Sequence, residues 1–347
     1  MPIVRTALAT ALALAVATGP GVARAETTVP GSMTEIQLSF APVVKAAAPS
    51  VVNIYAKRVV ERGGLAGPFA QDPFFRRFFE GIAPRTQQVQ NSLGSGVIVR
   101  ADGLVVTNLH VVGQATEIRV VLTDRREFEA EILLADEDSD LVVLKLDGAQ
   151  DLPALPLRDT AEVDVGDLVL AIGNPFGVGQ TVTSGIVSAL ARTREAPGGG
   201  AGYYLQTDAA INPGNSGGAL VDMRGRLLGI NTAILSRSGG SIGIGFAVPS
   251  DLVAQVVTQA EAGRSTLARP WAGISGQPQG LAISEVHPRS PFAQAGLARG
   301  DVLLSVDGRT VGAEPELAFR LSALGVGREA AVVWLSDGER REARLRL

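Results

Sequence analysis

Ser216 lies in the run Thr207-Asp208-Ala209-Ala210-Ile211-Asn212-Pro213-Gly214-Asn215-Ser216-Gly217-Gly218. Glycines on both sides let the backbone turn tightly and expose its N–H groups. A serine hydroxyl becomes a useful nucleophile only when a base takes its proton, and the oxyanion that follows needs N–H donors beside it. The chain offers two histidines, His110 and His287. His110 closes Thr107-Asn108-Leu109-His110, at the end of an expected strand and in the same region as Ser216. His287 belongs to the C-terminal unit and reads as a surface loop residue. Four carboxylates cluster downstream of His110, just ahead of an apolar run: Asp136, Glu137, Asp138 and Asp140. Asp140 directly precedes Leu141-Val142-Val143-Leu144, a strand mouth where a carboxylate can be buried against an imidazole, fix its tautomer and stabilise its cation. The other three are expected to form a solvated turn.

Gly214-Asn215-Ser216-Gly217-Gly218 also fits the G-x-S-x-G elbow, but that motif must lead into a helix and precede its histidine. Here residues 218–221 read as a strand, 222–225 as a turn and 226–230 as the returning strand. The order His110, Asp140, Ser216 is that of chymotrypsin, not of subtilisin or the α/β-hydrolases.

The elements that must hold these groups are short. From Phe40 to about Leu157, apolar runs recur at 51–55, 96–99, 104–107, 117–122 and 141–146, and Ala101-Asp102-Gly103 makes a hairpin turn between two of them. A second set spans 163–248, with runs at 168–172, 181–190, 218–221 and 227–230. Two consecutive groups of this kind fit two small barrels packed together. Ser250 then caps a helix over 251–262 that Gly263 closes. Forty-one glycines, nineteen prolines and 5% aromatics agree with many strands and tight turns.

Arg5, the apolar run 6–18, the breaker Gly19-Pro20-Gly21 and Ala23-Arg24-Ala25 read as a signal peptide over 1–25, cleaved after Ala25. A flexible segment, 26–39, follows. Export to the periplasm is therefore expected. With no cysteine there is neither a thiolate site nor a cysteine nucleophile, and two histidines argue against a multi-histidine metal centre. No cofactor is expected. The formal net charge of -4 argues against nucleic acid, which calls for a clustered basic face.

Several ordered stretches resemble the HtrA/Deg proteases. They are Gly94-Ser95-Gly96-Val97-Ile98, Thr107-Asn108-Leu109-His110-Val111, Asp140-Leu141-Val142-Val143-Leu144-Lys145 and Ala171-Ile172-Gly173-Asn174-Pro175-Phe176-Gly177. The Ser216 segment and Gly243-Ile244-Gly245-Phe246-Ala247-Val248-Pro249 complete the set. The resemblance implies a mainly β fold: a trypsin-like double six-stranded β-barrel over 40–250, a linker helix over 251–263, and a small α/β PDZ domain over 264–347. It implies that the N–H groups of Gly214 and Ser216 form the oxyanion hole, that Thr232 bonds the orienting aspartate, and that Asn231, Thr232 and Ala233 line the substrate site. Matched on the Ser216 motif, Ala210 holds the position of a charged specificity residue, with Ile211 beside it; an apolar pocket there favours small aliphatic residues before the cut bond. Asn215 stands where digestive enzymes carry an aspartate, so a new N-terminal ammonium has no partner and activation should come from loop rearrangement or assembly.

The segment 56–91 is too long for a hairpin loop. Its patch Asp72-Pro73-Phe74-Phe75-Arg76-Arg77-Phe78-Phe79 reads as a short amphipathic helix or, by resemblance, as a regulatory loop reaching a neighbouring subunit of a homotrimer or a multiple of trimers. In the last unit, Arg269-Pro270-Trp271-Ala272-Gly273-Ile274 resembles a carboxylate-binding loop, and 316–324 a groove helix with Leu317, Leu321 and Leu324 at helical spacing. Trp271, Ala272, Gly273 and Ile274 are thus expected to receive C-terminal peptides as an added strand. The short link 275–280 suggests a shallow groove. The expected activity is ATP-independent cleavage of unfolded or damaged exported polypeptides, since no Gly-x-x-x-x-Gly-Lys motif is present. A regulatory protease sensing peptides, or a chaperone-like binder, are the alternatives.

Overall fold

The computed structural model describes residues 39–59, 89–174, 179–195, 201–212, 214–234, 241–277 and 281–347. The expected signal peptide, most of the 26–39 segment, and the Phe74–Phe79 patch lie outside these residues.

A short helix, α1 (Ala41–Ala47), leads into the first barrel. Its strands are β1 (Val51–Val59), β2 (Val89–Arg100), β3 (Leu104–Asn108), β4 (Glu117–Val121), β5 (Glu127–Asp136) and β6 (Leu141–Leu146), closed in the order β1-β2-β3-β6-β5-β4. The second barrel uses β7 (Leu168–Gly173), β8 (Thr181–Glu195), β9 (Ala201–Thr207), β10 (Ala219–Asp222), β11 (Leu227–Ile234) and β12 (Gly245–Pro249), closed as β10-β11-β12-β9-β8-β7.

Period-two alternation explains why these runs are apolar on both faces. On β6, Val142 and Leu144 fill the first barrel, while Leu141 and Val143 face a seam shared with the second. On β7, Val169 and Ala171 fill the second barrel, while Leu170 and Ile172 enter that same seam. β5, β9 and β12 were not among the expected strands. β5 carries Glu127, Glu129 and Glu131 on an exposed face and is buried chiefly at its far end, where its apolar stretch Ile132-Leu133-Leu134-Ala135 lies.

The helix α2 (Leu109–Val112) is one turn following β3, and α3 (Ser250–Glu261) buries Leu252, Val253, Val256, Val257 and Ala260 against the seam. Ser250 is not the cap of α3. Pro249 occupies that position, and the Ser250 hydroxyl donates instead to the Arg158 carbonyl. Gly263 does close the helix, with φ of +76°.

The last unit is a sheet ordered β13 (Ile274–Gln277), β14 (Ala282–Val286), β15 (Val302–Val306), β17 (Glu329–Ser336), β18 (Glu339–Arg346), with β16 (Arg309–Thr310) paired to β15. It carries the short α4 (Pro291–Gln294) and the longer α5 (Glu314–Leu324), which lies beside β13. Leu317 and Leu321 face its own core. Phe319, on another side of α5, stacks on Tyr203 of β9 with ring centroids 3.7 Å apart, and Arg320 covers the tyrosine ring. Burial there pushes the Tyr203 hydroxyl up to about 12. The C-terminal unit is thereby packed on the second barrel.

Candidate active site

His110 sits on α2, the single turn after β3, and not at the strand end itself. The turn is held from below by Asp140, whose carbonyl accepts from Leu109 N–H and from Asn108 Nδ2, each at 3.0 Å. Asp140 takes a left-handed backbone, φ +57°, which aspartate tolerates better than most residues. Its carboxylate then faces back at the turn. Oδ1 accepts from the His110 backbone N–H at 3.0 Å, and Oδ2 lies 2.6 Å from His110 Nδ1. Oδ2 also accepts from Thr232 Oγ1 at 3.0 Å. A carboxylate so placed fixes the imidazole tautomer with its proton on Nδ1. The aspartate is 1% exposed and the histidine side chain 4%, so water does not dilute the pair.

Thr232 links this pair to the serine. Its side chain holds Asp140, and its carbonyl accepts from Ser216 Oγ at 3.3 Å. Ser216 itself follows a four-residue turn in which Asn215 N–H bonds to the Asn212 carbonyl at 3.0 Å and Gly214, third in the turn, has φ +98°. That region is open to glycine at little steric cost. Behind the serine, Gly217 has φ +80°, its N–H donates to Asn231 O at 2.8 Å, and Gly218 N–H donates to Asn215 O at 2.9 Å. Asn215 is buried and its Nδ2 reaches the Ala210 carbonyl at 3.4 Å.

The expected substrate residues fall around this turn. Ala210 is half-buried with its carbonyl also held by Thr183 Oγ1 at 2.8 Å, and Ile211 is buried against Gly245. Asn231 and Thr232 are buried, and the backbone of Ala233 pairs with Phe246 on β12. The four C-terminal residues are far along the chain, at the start of the other unit. Trp271 is 57% exposed and meets His287 edge to face, Gly273 has φ +62° with its carbonyl taken by His287 N–H, and Ile274 is buried on β13. The link residues 278–280 lie outside the described residues.

One expectation for the acidic turn fails. Asp136 is buried, not solvated, because Arg269 reaches it from the C-terminal unit with two nitrogens at 2.8 and 2.6 Å, and Ser139 donates to it from N–H at 3.0 Å. Arg269 also lies 3.3 Å from the exposed Asp138. The partner stands 133 residues away, so nothing local in the sequence announced it.

A trypsin-like peptidase domain family matches residues 94–230, and a PDZ domain family matches residues 240–347. A probable periplasmic serine protease of the do/HhoA-like type from Haemophilus influenzae is 39% identical over 93% of this chain and 74% of its own length. The chain belongs to the HtrA/DegP-type serine proteases. The periplasmic serine endoprotease DegP of Escherichia coli is 38% identical over 98% of the chain and 78% of its own length. Among solved structures, the HtrA-type protease AlgW with a decapeptide covers 89% of the chain and 98% of that protein at 39% identity, with a TM-score of 0.61. The fully buried Ser95 of this HtrA-type protease was not among the expected site residues. Its hydroxyl donates to the Gly214 carbonyl at 2.6 Å and its N–H to the Ser216 carbonyl at 3.0 Å. The only sequence signal was its place between Gly94 and Gly96 in a matching stretch.

Proposed function

We propose that this HtrA/DegP-type protease is a periplasmic endopeptidase that cuts unfolded exported polypeptides, with Ser216 as nucleophile, His110 as base and Asp140 as orienter. The observation that carries the reading is the 2.6 Å contact between Asp140 and His110 Nδ1, joined through Thr232 to the serine hydroxyl. With the Nδ1 proton held by the carboxylate, Nε2 keeps its lone pair and takes the Ser216 proton as Oγ attacks the scissile carbonyl. The N–H groups of Gly214 and Ser216 receive the oxyanion, and the imidazolium then protonates the leaving amine. Water repeats the sequence to release the acyl group. No step requires a nucleotide, so the substrate must arrive already unfolded.

A fluorophosphonate probe should label Ser216, located by mass spectrometry, and the label should vanish in His110→Ala. Equal labelling of that variant, or label on another residue, would remove the assignment.

The lack of charge at Ala210 and Ile211 favours small aliphatic residues before the cut bond. Unfolded casein should therefore yield new C-termini ending mainly in Val or Ala, and a digest dominated by Lys and Arg would overturn the pocket reading. A second reading, regulation by peptide sensing, draws on the Arg269 pair with Asp136, which ties a residue two before Trp271 to the turn carrying Asp140. In the same casein assay, a rate raised by an added C-terminal peptide supports it. An unchanged rate leaves only the first.

A further inference from the structure

We propose that Ser95 is a positioning residue for the reaction: its hydroxyl, supplied by the first barrel, locks the oxyanion turn of the second. This rests on the reading that the Gly214 and Ser216 N–H groups receive the oxyanion.

The turn has a weakness that its glycine creates. Gly214 sits at φ +98°, and a residue with no side chain crosses φ/ψ space with little resistance. The Asn215 N–H bond to Asn212 O holds one edge of the peptide plane that follows Gly214, and the Gly214 carbonyl is the other edge of that same plane. A donor in an oxyanion hole stabilises the intermediate only if it is already aimed when charge develops. A second hold, on the Gly214 carbonyl, stops this plane from rotating about that single bond and so steadies the frame from which the Gly214 N–H is aimed. Ser95 Oγ supplies that hold at 2.6 Å, a short and well-placed O–H···O bond.

The same oxygen accepts from Asn174 N–H at 2.8 Å. Asn174 opens the connection after β7, so one hydroxyl joins that connection to the oxyanion turn. The rest of Ser95 is equally committed. Its N–H donates to the Ser216 carbonyl at 3.0 Å, and its carbonyl accepts from Thr107 Oγ1 at 2.7 Å. Both sides of the nucleophile, Gly214 before it and Ser216 itself, are thus fastened to a single residue of β2. Ser95 is 0% exposed, so water cannot take over the hydroxyl's bonds when it is removed.

A purely structural serine and a positioning serine predict different kinetics. Loss of packing or stability lowers the thermal midpoint and leaves the kinetics of the folded fraction alone. Loss of aim lowers kcat at constant KM, because the ground state makes no use of the hole. The test measures kcat, KM and thermal midpoint on a fluorogenic peptide for wild type, Ser95→Ala and Ser95→Cys. It also compares the affinity of a peptide aldehyde, which forms the oxyanion adduct, with that of the matching alcohol, which does not.

Ser95→Ala should lose about 10- to 100-fold in kcat, less than the 10²–10³ for deleting an oxyanion donor outright, with KM within about twofold. Aldehyde affinity should fall by the same factor as kcat, with alcohol affinity unchanged. Ser95→Cys, a weaker donor, should fall between the two. A folded Ser95→Ala with wild-type kcat and aldehyde affinity overturns the proposal. If that variant does not fold, a folded Ser95→Cys with wild-type values overturns it instead. If wild type itself binds aldehyde no better than alcohol, the oxyanion reading fails, and the inference falls with it.

Discussion

Asp140→Asn should lower kcat by about 10⁴-fold while leaving the fold and KM nearly intact. The reason lies in which atoms surround the carboxylate. Oδ1 faces the backbone N–H of His110 at 3.0 Å, so an amide NH₂ placed there would set donor against donor. The asparagine must therefore turn its oxygen to that N–H and its NH₂ to the Oδ2 position. There it meets His110 Nδ1 at a site where the two atoms are now 2.6 Å apart. Thr232 Oγ1 raises no objection, since a hydroxyl can rotate and accept. Nδ1 becomes an acceptor and the ring proton moves to Nε2. A ring protonated there cannot take the serine proton. The geometry survives and the tautomer is wrong. The measurement is kcat on a fluorogenic peptide, with the rate of fluorophosphonate labelling as a check on Ser216 alone. A loss below tenfold would mean that the carboxylate does not set the tautomer.

The proposed nucleophile, base and orienter were legible because chemistry restricts residue types. A serine nucleophile needs a base, and His110 was the single histidine within the two expected barrels. The strands that were found, such as β6 and β7, are buried on both faces and so appear as unbroken apolar runs. β5, β9 and β12 escaped: β9 and β12 are buried like the strands that were found, but their apolar stretches, Tyr203–Leu205 and Phe246–Val248, are only three residues long. β5 is a mostly surface strand whose membership is decided by ladder bonds to β4 and β6, and ladder bonds are indifferent to side-chain type. Asp136 escaped because its burial depends on Arg269, a partner distant in sequence. Ser95 escaped because a buried hydroxyl looks like any other strand serine until its partners, Gly214 and Asn174, are known. Pattern reveals what a residue must do alone. It hides what a residue does for another element.

Gly217→Ala should lower kcat by about 10²-fold or more and lower the thermal midpoint by on the order of 10 °C. Two costs combine at this position. The backbone is left-handed, φ +80°, which costs an alanine about 1 kcal/mol or more. The larger cost is a collision, since the new methyl would stand 2.1 Å from the Ser95 carbonyl oxygen and 2.3 Å from Thr107 Oγ1. Neither atom can step aside cheaply. Ser95 is registered against Asn53 in β1, and its carbonyl is already bonded to Thr107 at 2.7 Å. The strain must therefore open the seam between the barrels or push residues 216–218 outward. A combined cost of roughly 3 kcal/mol corresponds to about 2–4 °C for each kcal/mol in a domain of this size. Displacing the serine by even about 1 Å costs on the order of 10² in rate, and it also draws Ser95 off the oxyanion turn. Gly225→Ala separates the two costs. Gly225 has nearly the same φ, +73°, but its added methyl would come no nearer than 3.9 Å to another atom, the Ala46 Cβ. That variant should lose about 1 kcal/mol and keep wild-type kcat. If Gly217→Ala behaved like Gly225→Ala, the close approach of Ser95 to the nucleophile loop could not be what holds the site together.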